Sequence, residues 1–251
     1  MYYADSDGNA NGTPPMIALF FTFGGDSECL HESVAAFRTV FPSGVVAVCD
    51  DAQKPITEDV RNAIAPEHYE TRQWNSNGNL NGWDTVRGIL DFQIRMHEKF
   101  KGHKGSLKLD CDTLIFDSSW IDEDAPACGI DTGANVMMIG MARYLRADAA
   151  IAIRDFIASK FVWEEVRVAE DAVIAGCAFA LFGKECKRNN WNEVAFSYSY
   201  TNPTVNEKIR PLVAFGNRRE IKEGKPCDKR AIAAIHMANF RKSALQNRTE
   251  E

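Results

Sequence analysis

The chain has 251 residues with a formal net charge of −6, and 45% of its residues are hydrophobic while 25% are charged. This balance is that of a folded globular protein and excludes a mostly disordered or collagen-like chain. The acidic net charge argues against non-specific binding to nucleic acid. Seven scattered cysteines, none in a Cys-x-x-Cys pair, exclude a zinc ribbon and a disulfide scaffold, so we expect a reducing, cytoplasmic environment.

The first 15 residues differ in composition from the rest of the chain. They are rich in Asn, Gly, Asp and Pro, which predicts a disordered segment. They have neither a basic start nor an apolar stretch, so we do not expect a secretory signal. From residue 16 to 251 we predict a single domain, with a first half at about 16–116 and a second half at about 117–251.

The ordered part opens with a β-α-β pattern. Met16–Phe23 is an apolar run typical of a strand that is buried on both faces, as in a parallel sheet. A helical pattern follows over Glu28–Phe41 and is stopped by Pro42. Val45–Cys49 is the next strand, and the right-handed crossover rule then predicts parallel pairing.

The pattern continues with a turn-rich segment over residues 75–82, a helix over Trp83–Phe100 and a short strand at Ser106–Leu109. Strands that alternate with helices predict an α/β sandwich of three layers. A further apolar helix is predicted from Glu170 to Phe182.

Polar side chains follow three of these strands. Thr22 comes at the end of the first strand, Asp50 and Asp51 follow the second, and Asp110 and Asp112 follow the third. In open α/β sheets ligands bind beyond the carboxyl ends of the strands. We therefore expect these side chains to meet at one edge of the sheet.

The most informative of these groups is the segment Leu-Asp-Cys-Asp-Thr-Leu-Ile at residues 109–115. Two carboxylates two positions apart at a strand end point to the same side. Such a pair is electrostatically costly unless a cation joins it, and hard oxygen ligands favour Mg²⁺ or Mn²⁺. Two turn aspartates that cap the next element are the structural alternative.

This segment resembles the Asp-x-Asp motif of GT-A glycosyltransferases, which use nucleotide-sugar donors. Glu170-Asp171 resembles the Glu-Asp motif that begins a helix under the acceptor site, and the segment over residues 234–242 resembles the one where a His completes the metal shell. The resemblance covers about residues 16 to 242. It implies an α/β/α sandwich with a mostly parallel, Rossmann-like sheet.

The resemblance also implies roles for individual residues. Asp112 would ligate Mn²⁺ or Mg²⁺ directly, and Asp110 would share the metal or contact the ribose. His236 would be the third protein ligand, and Lys242 or Arg241 would neutralise the diphosphate. Thr22, Asp50 and Asp51 would belong to the donor-binding half.

For the residues that would act on the acceptor, the sequence gives candidates that each have a structural alternative. Asp171 is our candidate for the general base that deprotonates the acceptor hydroxyl, with Glu170 beside it. Both acids also suit the N-terminus of a helix, where they would act only as caps. Trp120 and Trp191 are candidates for stacking on the acceptor sugar, with packing as the alternative.

The C-terminal part of the chain is basic. Residues 206–251 contain 11 Lys and Arg against 6 Asp and Glu. This suits an anionic ligand or peripheral contact with anionic lipid at the inner membrane face, although a solvated surface segment is the simpler interpretation.

The sequence therefore predicts a metal-dependent glycosyltransferase. It would move a sugar from a nucleotide donor, with a UDP-sugar favoured, to a hydroxyl of a glycan, lipid-linked or protein acceptor. We favour inversion at the anomeric carbon; retention is the alternative, in which Asp171 would only orient the acceptor. The alternatives are a nucleotidyltransferase that makes sugar nucleotides, which the absence of Lys or Arg in residues 22–27 disfavours, and a non-catalytic domain that binds sugar nucleotides.

Overall fold

A computed structural model of the protein describes residues 16–22, 27–74, 83–131, 138–160, 170–190, 195–197 and 213–215. The predictions for residues 1–15, for the turn-rich segment 75–82, and for Trp191, His236, Arg241 and Lys242 lie outside the described residues.

The described residues form ten strands and five α-helices. The strands are β1 (Ile17–Phe21), β2 (Val45–Asp51), β3 (His68–Arg72), β4 (Gly105–Leu109), β5 (Thr113–Ile115), β6 (Ala127–Asp131), β7 (Met138–Arg146), β8 (Lys187–Asn190), β9 (Ala195–Ser197) and β10 (Val213–Phe215). The helices are α1 (Ser27–Val40), α2 (Glu58–Ile64), α3 (Trp83–Lys99), α4 (Ala147–Lys160) and α5 (Glu170–Phe182).

Seven strands form a central sheet in the order β3-β2-β1-β4-β7-β6-β8. The strands β3, β2, β1 and β4 run parallel to one another, and β6 runs parallel to β8. Only β7 is antiparallel to its neighbours β4 and β6. The predicted fold class, an α/β protein with a mostly parallel central sheet, is confirmed.

Both faces of this sheet are covered by helices. Ala18 and Phe20 of β1 share one core cluster with Phe37 of α1, whereas Ile17 and Leu19 share the other cluster with residues of α3, α4 and α5. Because alternate residues of a strand point to opposite faces, a strand covered on both sides must be apolar throughout. This explains the uninterrupted apolar sequence of β1.

The predicted helices are found close to their expected bounds. Helix α1 ends just before Pro42, and α5 has the predicted bounds, Glu170–Phe182. A second sheet, in the order β5-β10-β9, was not predicted. It begins directly after the Asp-x-Asp segment, where Phe215 pairs with Thr113. None of the described helices combines the length and apolar character needed to cross a bilayer.

Helix α3 contains a half-buried histidine whose protonation should affect stability. The Nε2 atom of His97 lies 3.1 Å from the Ser106 hydroxyl on β4, and Gln93 donates to the same hydroxyl at 2.8 Å. Burial and, secondly, the neighbouring His103 lower the pKa of His97 from 6.5 to about 4. The folded protein therefore resists protonation of this side chain.

The stability of the protein should fall as the pH decreases from 6.5 to 4. In this range the unfolded chain binds a proton at His97 before the folded chain does, which lowers the free energy of unfolding by up to about 3 kcal/mol. Denaturant titrations at a series of pH values would measure this slope. The His97→Gln variant should show a flatter slope over the same range, and an unchanged slope would contradict the assignment.

Candidate active site

The carboxyl ends of β2, β1 and β4 lie side by side. These strands are adjacent and parallel, with Phe21 paired to Cys49 and Phe20 paired to Leu109. Thr22, Asp50, Asp51, Asp110 and Asp112 therefore come to one edge of the sheet, as the sequence predicts. Their side chains differ in burial and in their hydrogen-bond partners.

Asp50 is completely buried and its carboxylate is fully hydrogen-bonded. Its Oδ1 accepts from the Thr22 hydroxyl and from the Asp51 N–H at 2.9 Å. Its Oδ2 accepts from the Ile56 N–H at 2.8 Å and from the Tyr69 hydroxyl at 2.6 Å. Burial and then this bond raise the pKa of Tyr69 to about 12.

These contacts give a structural role to Thr22 and Asp50, whose part in donor binding stays a prediction. Both side chains are buried, and each satisfies the other through a hydrogen bond. They hold the loop after β2 in place and do not line an open site. Asp51, which is half-buried, is the carboxylate of this pair that lies at the surface of the edge.

Removal of the Asp50 carboxylate should destabilise the protein strongly. Asp50→Ala leaves buried donors without an acceptor, for which we expect a loss of about 3 kcal/mol in the free energy of unfolding. Tyr69→Phe removes only one of these bonds and should cost about 1 kcal/mol. Chemical denaturation of both variants tests this account, and a loss of under 1 kcal/mol for Asp50→Ala would refute it.

The Asp-x-Asp segment is a turn anchored by its central residue. Cys111 is buried; its thiol donates to the Phe21 carbonyl at 3.4 Å, and its own carbonyl accepts from the Ser33 hydroxyl at 2.6 Å. The flanking Asp110 and Asp112 are half-buried. The turn is thus fixed to β1 and to α1, with its two carboxylates next to the end of β4.

A buried group of charges lies beneath this turn. Lys108 on β4 contacts Asp110 Oδ1 at 2.6 Å and Glu170 Oε1 at 3.1 Å through its ammonium. Arg143, directly opposite on β7, donates to Glu170 Oε2 at 3.2 and 3.3 Å. Two like charges on paired strands are unfavourable, and Glu170 lies between them to compensate.

The pKa shifts of Lys108 and Glu170 both favour their charged forms. Burial alone would lower the pKa of Lys108, but the Asp110 and Glu170 carboxylates outweigh it and raise that pKa above its usual value. Burial alone would raise the pKa of Glu170, but Lys108 and Arg143 outweigh it and lower that pKa. A buried charge that loses its partner is costly, so this group makes the position of Glu170 highly specific.

The charge group places the start of α5 beside the Asp-x-Asp turn. Glu170 is the first residue of α5, and Lys108 joins it to Asp110. The next residue, Asp171, is half-buried and accepts the Ala172 N–H at 2.8 Å. Glu170 therefore has a structural role, and its catalytic role stays a prediction; Asp171 is the more exposed of the two and remains the candidate base.

Two tryptophans, Trp120 and Trp191, are predicted to stack on the acceptor sugar. Trp120 is 1% exposed and packs in the core cluster on the α1 side of the sheet. This arrangement favours packing, the alternative to sugar stacking that the sequence leaves open for Trp120. Trp191 lies outside the described residues.

The Asp-x-Asp turn can supply part of a metal site. Asp110 and Asp112 provide hard oxygen ligands on either side of a buried cysteine, which fits Mg²⁺ or Mn²⁺. Lys108 already contacts one oxygen of Asp110. Within the described ranges no three His, Cys, Asp or Glu residues lie close enough to hold an ion together. A complete site would need a ligand from elsewhere, the role predicted for His236.

A polar cleft of about 390 Å³ lies near the carboxyl end of β3 and the start of α3. Arg72 lines it and is paired in register with Asp51 across β2 and β3. The guanidinium of Arg72 lies 5.1 Å from the centre of the Trp74 ring and donates to the Asp84 carbonyl at 3.3 Å. This cleft was not predicted, because its residues come from a polar edge strand and from a helix start.

Lys108 and Arg143 were also missed by the sequence analysis. A signal for Lys108 exists, since a lone basic residue between Leu107 and Leu109 in a buried strand needs an acidic partner. No comparable signal identifies which acid it pairs with, because Glu170 is 62 residues away.

Comparison with known proteins gives a result only at the level of structure. The sequence matches no family model and no curated protein. The structure is similar to the galactosyltransferase LgtC, solved in complex with donor and acceptor sugar analogs. The identity is 15% and the TM-score 0.53, over 87% of this chain and 95% of that one.

Two other glycosyltransferase structures are similar. One is involved in glycosylation of the major capsid of PBCV-1, with 12% identity and a TM-score of 0.52 over 84% of this chain and 98% of that one. The other is apo-form GlyE of Streptococcus pneumoniae TIGR4, with 12% identity and a TM-score of 0.50 over 90% of this chain and 64% of that one. At these identities the similarity is one of fold, and the chain has the fold of GT-A glycosyltransferases.

Proposed function

We propose that the protein is a metal-dependent glycosyltransferase that moves a sugar from a nucleotide-diphosphate donor to an acceptor hydroxyl. The observation that supports this best is the contact of Lys108 with both Asp110 and Glu170. It brings the Asp-x-Asp turn and the start of α5 together at the carboxyl edge of the sheet. The candidate metal ligands and the candidate base, 59 residues apart from Asp112 to Asp171, are thereby near one another.

The fold supports the same proposal independently. LgtC, which shares this fold, was crystallised with donor and acceptor sugar analogs. In open α/β sheets ligands bind at the carboxyl ends of the strands. The half-buried carboxylates Asp51, Asp110, Asp112 and Asp171 are found at this edge or at the start of the helix beside it.

The chemistry of the leaving group explains the paired carboxylates. Transfer breaks the bond between the anomeric carbon and the diphosphate, and the departing diphosphate gains negative charge. When bound, Mn²⁺ or Mg²⁺ would act as a Lewis acid toward this charge. In the proposed site Asp110 and Asp112 would hold the metal together with His236, and Lys242 or Arg241 would add positive charge at the diphosphate.

Asp171 is proposed to act on the acceptor. A carboxylate suits the first turn of a helix because of the helix dipole, and its oxygens supply the proton acceptor that a general base needs. Its neighbour Glu170 is held by two cations, so the helix start is fixed in position. Direct attack by the deprotonated hydroxyl would invert the anomeric carbon, and this is the stereochemistry we propose.

We propose that the nucleoside binds near Asp51. The polar cleft is close to Asp51, because Arg72, which lines the cleft, is paired with Asp51 in the neighbouring strand. The cleft offers hydrogen-bond donors and acceptors, including both basic and acidic side chains. Such a mixture suits a nucleobase and ribose better than it suits an apolar ligand. A UDP-sugar is the donor that we propose.

A thermal-shift screen would test the proposed function. Nucleoside diphosphates and nucleotide sugars would each be added with Mn²⁺ and, in parallel, with a chelator. A ligand at 100 times its Kd should stabilise the native state by about 2.7 kcal/mol. We expect stabilisation by at least one nucleotide only when Mn²⁺ is present. If no nucleotide raises the Tm under either condition, the proposal fails.

A further inference from the structure

We infer that Lys108 is a positioning residue that connects the donor side of the site to the acceptor side. This rests on the proposed function, because it assigns Asp110 to the donor and Asp171 to the acceptor. Lys108 would fix the distance between the two halves and so align the metal-bound diphosphate with the base. No substrate would touch Lys108 itself, which is 2% exposed.

The geometry explains why one ammonium can do this. Lys108 is the penultimate residue of β4, in the interior of the sheet between β1 and β7. Its Nζ lies 2.6 Å from Asp110 Oδ1, two residues along the chain, and 3.1 Å from Glu170 Oε1 on α5. One buried cation is therefore shared by two carboxylates from different parts of the chain.

Without this cation the two carboxylates would repel one another. Asp110 is only partly buried, with 29% of its side chain exposed, so it could turn toward solvent. Glu170 would keep Arg143 as its partner and would stay near β7. When Lys108 is lost, we therefore expect the distance between the Asp-x-Asp turn and the start of α5 to vary.

Arg143 provides a matched control. It faces Lys108 directly across β4 and β7, it is equally buried, and it also binds Glu170. Its guanidinium donates to Glu170 and not to Asp110. Lys108→Met and Arg143→Met should therefore cost similar stability, but only Lys108→Met breaks the connection to the turn.

The first test compares Mn²⁺-UDP binding by calorimetry in the two variants at a temperature where both are folded. Loss of a residue that orients a metal ligand typically reduces metal affinity by roughly 10- to 100-fold. We expect that loss of Mn²⁺-UDP affinity in Lys108→Met and a loss of affinity below about threefold in Arg143→Met, with Lys108→Arg recovering part of the binding. Equal losses in the two Met variants would overturn the inference.

The second test does not depend on any ligand. Hydrogen exchange would be followed at the Thr113 N–H, which donates to the Asp110 carbonyl at 2.9 Å, and in the first turn of α5. Lys108→Met should accelerate exchange at both places, and Arg143→Met only in α5. Faster exchange confined to α5 in both variants would overturn the inference, even if the wild type bound no nucleotide.

A milder variant covers the case in which Lys108→Met does not fold. Asp110→Asn removes the partly exposed charge and leaves the contact of Lys108 with Glu170 in place. Exchange at the Thr113 N–H should then become faster while exchange in α5 stays as in the wild type. An unchanged exchange rate at the Thr113 N–H would show that Lys108 does not hold the turn. A wild type that binds no nucleotide would count against the proposed function and not against this connection.

Discussion

Replacing Asp171 by Asn is expected to reduce sugar transfer by about 10²- to 10⁴-fold, the usual contribution of a general base. An amide has nearly the same shape as the carboxylate but cannot accept the proton of the acceptor hydroxyl. The Ala172 N–H can still donate to the amide oxygen, so α5 should begin as before. Donor binding should not change, because Asp171 has no role in it.

Two measurements are needed for this variant. Transfer rates report the loss of the base, and calorimetry with Mn²⁺-UDP reports whether the donor site is intact. Asp155→Asn, an exposed substitution on α4, is the control and should transfer sugar at the wild-type rate. A fully active Asp171→Asn enzyme would remove Asp171 as the base and would leave it the role of orienting the acceptor or capping the helix.

Replacing Asp112 by Ala is expected to abolish metal-dependent donor binding. Asp112 is the proposed direct ligand, and the described residues offer no group of three ligands that could replace it. Since the metal would hold the diphosphate, loss of the metal should also remove most of the affinity for the nucleotide. The turn itself should persist, because Cys111 anchors it through Phe21 and Ser33.

The control for Asp112→Ala is Asp117→Ala. Asp117 is also a turn carboxylate shortly after β5, where it accepts the Ser119 N–H at 2.7 Å. It should be possible to remove this carboxylate without any effect on Mn²⁺-UDP affinity. If Asp112→Ala binds Mn²⁺-UDP as tightly as the wild type does, the metal site proposed at this turn is incorrect.

The parts of the fold that could be predicted are those with local signals. The apolar sequences of β1 and β2 show strands buried on both faces, and the acidic start of α5 marks its N-terminus. The meeting of Asp51 and Asp110 at one edge follows from parallel pairing alone. The antiparallel insertion of β7 between β4 and β6 could not be predicted, because it depends on contacts between distant parts of the chain.

Within the site, the sequence could not distinguish neighbouring carboxylates. Asp50 and Asp51 are adjacent, yet Asp50 is buried in hydrogen bonds while Asp51 lies at the surface. Glu170 and Asp171 differ in the same way, because only Glu170 reaches Lys108 and Arg143. Which member of such a pair points inward depends on tertiary contacts. This is why the sequence alone could not show that Asp50 and Glu170 have a structural role.

The most direct test of the proposed function is the release of nucleoside diphosphate from sugar nucleotides, with UDP-sugars first. The assay would compare the wild type with and without Mn²⁺ and would include Asp112→Ala. We predict release that requires both Mn²⁺ and Asp112 and that is faster when a hydroxyl acceptor is added. If the wild type releases none from any sugar nucleotide, or releases it equally after chelation and in Asp112→Ala, metal-dependent sugar transfer at this edge of the sheet is contradicted.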